Sequence, residues 1–281
     1  MTLMFAPTAS VPTPVTGARA TVIALHGSAS APSQWRHLVA ELEADFEVMT
    51  PVLPGYGADT LPVHSPRTLE QIAHDVIDGL GRCHTPVHLV GHSFGGAVAL
   101  KIASLVPEMV LSLTLIEPAA FNLVWNMSGI STPKTEGFNQ AVRVSRNALQ
   151  GGDPARAMQV FMDFWNGPGF WERTDPDRRA TMTKCAPKIH NDFVALVSDR
   201  FLAAEAARVT CPILCISGDQ SPPEIHEVTT ALSDLIAQTQ HEIVAGAGHM
   251  VPITHPETVN PLVSAFLAKT SCECQKYKRA A

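Results

Sequence analysis

The stretch Val87–Leu105, VHLVGHSFGGAVALKIASL, holds the residues best placed to do chemistry. Ser93 sits at its centre, in Gly91-His92-Ser93-Phe94-Gly95, between a strand-like run (Val87–Val90) and a helix-like one (Gly95–Leu105). A serine with a glycine two residues to either side, at a strand-to-helix junction, predicts a sharp elbow. The turn forces its central residue into a strained backbone conformation, and glycines are needed where the main chains nearly touch. Such an elbow holds the hydroxyl out at the carboxyl edge of a sheet. The adjoining helix N-terminus favours developing negative charge there. This is the setting of a nucleophile for acyl transfer.

A serine hydroxyl becomes a good nucleophile only beside a positioned base. The chain has 12 histidines. His249 follows the strand-like run Thr239–Val244, in the segment AGAGHMVP, where small residues leave a loop free to carry an imidazole over the elbow. His92, inside the elbow, is expected to point into packing. His64, His84, His226 and His241 read as surface or hydrogen-bonded residues. No H-E-x-x-H or similar spacing is present, so neither a metal nor a cofactor is expected.

These residues need a frame. Thr21–Leu25, Phe46–Thr50, Val87–Val90, Leu111–Ile116, Ile213–Ser217 and Thr239–Val244 are short aliphatic or β-branched runs, most of them without alternation. Such runs suit strands covered on both faces, as in a parallel sheet. Helix-period stretches lie between them: Gln34–Leu42 with Ser33 as N-cap, Thr68–Leu80, Gly95–Leu105 and Pro256–Ala268. Alternation of this kind predicts an α/β fold with a doubly wound, mostly parallel sheet. From Ala119 to Val209 the alternation stops and only helix-like pieces occur, with nearly half of the aromatic residues lying between Phe121 and Trp171. We read 119–209 as an inserted helical cap, 19–118 with 210–269 as the sheet domain, and 270–281 as a disordered tail. Aromatics of the cap would pack it onto the sheet and line an apolar pocket between the two.

The chain resembles the α/β-hydrolase family over roughly residues 19–269. The resemblance rests on the elbow, on Ala24-Leu25-His26-Gly27, on Leu53-Pro54-Gly55-Tyr56-Gly57 and on Gly246-Ala247-Gly248-His249. Val52 stands where many members carry Asp. The resemblance implies that His249 is the base and that His26 orders the loop after the first strand. It also implies an oxyanion hole formed by the backbone N–H groups of Ser28 and Phe94. The third member departs from the common pattern. Many relatives place an Asp three residues beyond the glycine that ends the penultimate strand, and here that position, three past Gly218, is Ser221. A serine cannot carry the charge that stabilises an imidazolium. Asp219 is a nearby substitute. Relatives resembling haloalkane dehalogenases instead place the acid after the strand that follows the elbow helix, where this chain has Glu117. A carboxylate ending the apolar strand LSLTLIEP is hard to explain as core, unless it pairs at the rim with an arginine such as Arg143. Glu117 is the preferred acid and Asp219 the alternative.

Composition narrows the function classes. The 281 residues are 46% hydrophobic and 16% charged, with a net charge of −6. These values suit a globular enzyme and give no basic stripe for nucleic acid. No apolar run is long enough for a membrane span, and the N-terminal segment lacks the pattern of a secretory leader. A cytoplasmic protein is therefore expected. Cys211 and Cys215 read as small apolar core residues rather than half of a disulfide framework. The expected partner is a small molecule with an apolar part, and the expected reaction is cleavage of a small carboxylic ester through an acyl-enzyme on Ser93. Hydrolysis of a carbon–carbon bond in a diketone-like substrate, and a weakly catalytic ligand receptor, are the alternatives.

Overall fold

A computed structural model describes residues 19–57, 66–79, 85–124, 136–199 and 203–280. Its six strands are β1 (Thr21–Leu25), β2 (Glu47–Met49), β3 (Val87–His92), β4 (Val110–Ile116), β5 (Ile213–Gly218) and β6 (Thr239–Val244). They form one sheet in the order β2-β1-β3-β4-β5-β6, with every pairing parallel. Parallel neighbours require crossovers, and helices supply them. The helices named below are α1 (Arg36–Leu42), α2 (Leu69–Gly79), α3 (Phe94–Leu105), α4 (Glu136–Gln150), α5 (Pro154–Asn166), α6 (Ala186–Ser198), α7 (Pro223–Leu235) and α8 (Pro256–Ala280).

In β1, β3, β4 and β5 the lack of alternation follows from cover on both faces, whereas the edge strands β2 and β6 are largely exposed. Ile23, Leu25, Leu89, Leu113, Leu115, Ile213 and Cys215 point into one core with side chains of α2, α3 and α7. Their neighbours Val22, Ala24, Val90, Ile116, Leu214 and Ile216 point to the opposite face, against α1 and α8. Apolar strand side chains thus meet helices on both faces, so the sheet is doubly wound.

Strand order also sets where a site can form. The chain runs outward from β1 to β2, then crosses back to β3 and continues in the other direction. The loops leaving β1 and β3 therefore diverge, and a crevice opens at their carboxyl ends. Ser93 leaves β3 at that switch point and Ser28 leaves β1. Between β4 and β5 lie α4, α5, α6 and the short helices Phe170–Arg173, Pro176–Thr183 and Ala203–Ala206. Phe121, Phe138, Phe161, Trp165 and Phe193 of this insertion share the core cluster of α2 and α3.

Three local expectations are corrected. Ser33 caps no helix: Pro32–Trp35 form a 3-10 turn whose N-cap is Ala31, and α1 starts only at Arg36. A capping box is found instead at α2, where Thr68 Oγ1 accepts from Gln71 N–H and Gln71 Oε1 accepts from Thr68 N–H. The segment expected to be a disordered tail instead continues α8 to Ala280. It holds no Gly or Pro beyond Pro261, and residues such as Ala, Lys, Glu, Gln and Arg lose little freedom in a helix.

Candidate active site

Ser93 occupies the turn between β3 and α3 with φ 54° and ψ −120°. The glycines at the elbow are required by distance. A Cβ on Gly95 would lie 2.3 Å from the Leu25 carbonyl oxygen, and one on Gly91 would lie 2.5 Å from that of Gly95. Cross-strand bonds hold the strained turn: Ser93 N–H donates to the Ile116 carbonyl (3.0 Å), and Ala119 N–H to the Ser93 carbonyl (3.1 Å).

Among the described residues, the non-glycine positions with positive φ are Ala29, Ser93 and Glu117, which follow β1, β3 and β4. Each such conformation costs on the order of 1–3 kcal/mol and persists only where its surroundings enforce it. Strain is therefore concentrated along one edge of the sheet.

His249 joins two of these points. Its Nε2 lies 2.9 Å from Ser93 Oγ, and its Nδ1 lies 3.0 Å from Glu117 Oε2. All three side chains are buried, Glu117 completely. The second carboxylate oxygen, Oε1, accepts from Gly218 N–H and Ser221 Oγ–H, each at 2.7 Å. A buried carboxylate needs such donors, because an unpaired charge in the interior is costly. Ser221, three residues beyond Gly218, thus hydrogen-bonds to Glu117.

The alternative acid is elsewhere. Asp219 is exposed, and its Oδ1 accepts from Gly246 N–H (2.8 Å), tying the end of β5 to the loop before His249. Arg143 pairs with Glu136 at 2.6 Å on the surface of α4 and does not meet Glu117. Gly218 has no room for a side chain: a Cβ would lie 2.0 Å from the Ala247 carbonyl oxygen, two residues before His249.

The remaining predicted histidines fill supporting places. Leu53 N–H donates to His26 Nε2 (3.1 Å), which leaves the ring proton on Nδ1, 2.8 Å from the Gly27 carbonyl. Burial lowers the His26 pKa, which keeps the ring neutral and able to accept. His92 Nε2 lies 2.9 Å from the His249 carbonyl, and burial pushes its pKa down to about 3. His241 bonds Ser217 Oγ at 2.8 Å. His226 is half-buried on α7. His64 and His84 lie outside the described residues.

The proposed oxyanion donors sit on the two loops of the crevice. Phe94 opens α3, where a helix N–H has no carbonyl of its own helix to meet. The Ser28 side chain has a partner that sequence reasoning missed. Its hydroxyl donates to Asp192 Oδ2 of α6 at 2.6 Å. Tyr56 O–H and Lys188 Nζ also bond to the Asp192 carboxylate, and Ala29 N–H donates to Tyr56 Oη at 3.1 Å. Burial, with the Asp192 charge, raises the Tyr56 pKa well above its ordinary value, so the phenol stays a donor. This network ties the loop after β1 to the inserted helices.

Beside His249 lies a cleft of about 610 Å³, walled in part by Phe164, Trp165, Phe170, Ser221, Met250 and His249 itself. Ser93 does not line it and is 6% exposed. Among the described residues, no group of three or more His, Cys, Asp or Glu side chains is arranged to hold a metal ion.

The family model described as "Alpha/beta hydrolase family" matches residues 22–262, from β1 into α8. The chain belongs to the alpha/beta hydrolase family. A 2-hydroxymuconate semialdehyde hydrolase from Pseudomonas sp. (strain CF600) is 28% identical over 270 residues, covering 90% of this chain and 88% of that protein. Among solved structures, a thermophilic esterase from Thermogutta terrifontis superposes with a TM-score of 0.67 at 23% identity, covering 91% of this chain and 92% of the other. A hydrolase from Pseudomonas aeruginosa PA01 gives 0.71 at 22% identity, covering 89% and 90%. The structural likeness carries the alpha/beta hydrolase fold, and the family match makes the protein an enzyme of the hydrolase class.

Proposed function

We propose that this alpha/beta hydrolase is a serine hydrolase that cleaves a small carboxylic ester, with Ser93 as nucleophile, His249 as base and Glu117 as the acid that orients it. The observation that carries the reading is the unbroken line Ser93 Oγ–His249 Nε2 (2.9 Å) and His249 Nδ1–Glu117 Oε2 (3.0 Å). In the first step Ser93 Oγ attacks the ester carbonyl while His249 Nε2 takes its proton. The carbonyl oxygen becomes an oxyanion between the N–H groups of Ser28 and Phe94, where one donor is typically worth about 10²–10³ in rate. His249 then gives the proton to the leaving alkoxide, and the alcohol departs. Water attacks the acyl-enzyme with His249 again as base. Ser93 recovers its proton as the carboxylic acid leaves. Glu117 faces the imidazolium that forms in each half-reaction.

The inserted helices act as a cap over this edge of the sheet. The cleft beside His249, with Phe164, Phe170 and Met250 in its wall, suits an apolar leaving alcohol. The partner is therefore a small molecule with an apolar part. Carbon–carbon bond hydrolysis is a second reading, favoured by the near full-length match to a 2-hydroxymuconate semialdehyde hydrolase. The same serine, base and acid would serve it.

A panel of p-nitrophenyl esters of increasing acyl length, run beside Ser93→Ala, tests the reading. We expect turnover of the short esters and a loss of at least about 10⁴-fold in Ser93→Ala. Turnover that survives in Ser93→Ala contradicts it. Inert esters, together with release of a carboxylic acid and a ketone or enol fragment from a diketone, select carbon–carbon cleavage instead. Failure of a fluorophosphonate to label Ser93, while a ligand still binds, turns the reading toward a receptor.

A further inference from the structure

The hydrogen-bonded line fixes His249 at its two nitrogens but leaves the faces of the ring to be held by something else. One face is covered from the inserted helices. Trp165, on α5, lies flat on the His249 imidazole, with ring centroids 3.6 Å apart and planes 18° from parallel. No other described aromatic contact of His249 is so close: the His92 ring is 5.1 Å away and tilted by 39°. Trp165 is itself wedged in place, edge-on to Phe164 at 4.7 Å and stacked near Phe121 at 6.1 Å. It is 5% exposed.

The choice of indole is informative. Trp165 Nε1 is buried with no hydrogen-bond partner. An orphaned donor in the interior costs free energy that a phenyl ring in the same place would not. What the indole offers in return is its face, the strongest aromatic surface for a cation. A cation forms at this spot when His249 accepts the Ser93 proton. The charged and titratable groups around the imidazole are few. Glu117 faces Nδ1 from the end of β4, Ser93 faces Nε2 from the elbow, and His92 approaches from β3. Glu224, on α7, lines the same cleft. Burial keeps His92 neutral, so it brings no competing charge. Glu117 supports the imidazolium in the ring plane, and Trp165 supports it from above.

We propose that Trp165 is a positioning residue of the reaction: it clamps the His249 ring between Ser93 and Glu117 and stabilises the imidazolium more than the neutral imidazole. An interaction stronger in the transition state than in the ground state raises kcat rather than lowering KM. Because Trp165 belongs to the insertion, a fully reactive base exists only when α5 is seated over the sheet. The inference rests on the reading of His249 as the base.

The test compares Trp165→Leu and Trp165→Phe with wild type and Ser93→Ala, measuring kcat and KM on a short p-nitrophenyl ester from pH 5 to 9. Trp165→Leu is expected to lose about tenfold in kcat with KM little changed. Its acidic limb in the kcat/KM profile is expected about one pH unit lower, because a base that has lost support for its cationic form holds a proton less tightly. Trp165→Phe, which keeps a weaker face and removes the orphaned N–H, is expected to fall between the two in both measures. An unshifted acidic limb in Trp165→Phe and Trp165→Leu overturns the proposal, whatever happens to the rate. A change confined to KM also overturns it, since the ring would then only line the cleft. Should Trp165→Leu fail to fold, the Trp165→Phe profile decides alone. If Ser93→Ala keeps full activity, it is the underlying assignment of nucleophile and base that fails.

Discussion

At the scale of single residues, Glu117 is the unusual feature. It carries positive φ, is fully buried and presents one oxygen to His249 and the other to two donors. Ser221 is one of those donors, so a serine at the more common acid position supports the proposed acid, Glu117. Its hydroxyl donates to a charged group, and such bonds are worth about 1.5–3 kcal/mol. Removing it leaves Gly218 N–H as the remaining donor to Oε1, and the carboxylate is less firmly aimed at Nδ1. Ser221→Ala should therefore lower kcat by about tenfold or more while leaving KM within a factor of two or three. Steady-state kinetics on a p-nitrophenyl ester checks this. A rate equal to wild type would mean that the Ser221 bond contributes nothing to the acid.

At the scale of elements, much of the arrangement is legible before any coordinates. The elbow can be read because nucleophile, glycines, strand and helix are contiguous in Val87–Leu105. The run Thr21–Leu25 is a strand end to end because a two-sided buried strand needs uninterrupted apolar residues, which a window of five shows. Glu117 stands out for a related reason: a charge closing an apolar strand at the sheet edge has few other uses. What is illegible depends on segments distant in sequence. The Trp165–His249 stack joins residues from α5 and the loop after β6, and no periodicity along α5 marks which of its aromatics reaches the base. The Ser28–Asp192–Tyr56–Lys188 network joins two loops to α6, so its members look like scattered polar residues. Spacing alone does not separate Asp219 from Glu117. The difference is one of direction, since Asp219 turns outward to Gly246 while Glu117 turns inward. The long α8 shows the opposite error: a polar composition reads as disorder, yet the same residues are good helix formers.

At the scale of the whole molecule, helices close both faces of the sheet, and several charged or titratable groups enter the interior with partners. Lys101 of α3 is 2% exposed and pairs with Asp199 at 2.8 Å and Glu205 at 3.0 Å, tying the elbow helix to the end of the insertion. His88 and His92 are buried neutral on the central strand, with pKa values lowered by burial to about 4 and about 3. His88 bonds Ser112 Oγ (2.7 Å) and Ser271 Oγ (3.0 Å), joining β3 to β4 and α8. The sign of their effect on stability follows directly. Above about pH 6.5 both rings are neutral whether folded or not. Below it the unfolded chain takes up protons that the folded one refuses, so stability falls as pH drops from about 6.5 towards 4. Thermal midpoints measured across this range should decline, and the decline should be shallower in His88→Asn, whose amide does not titrate. Parallel curves for the variant and wild type would contradict this role for His88. Among the described residues, no helix is long and apolar enough to cross a membrane.

The proposed acid, Glu117 rather than Asp219, is tested by one paired measurement. Ester turnover is compared in Glu117→Gln and Asp219→Asn, each near its wild-type side chain in size. A fall in kcat of about 10⁴-fold is expected for Glu117→Gln, as the imidazolium loses its counter-charge, and a change of no more than a few-fold for Asp219→Asn. Collapse of Asp219→Asn with Glu117→Gln still active would contradict it.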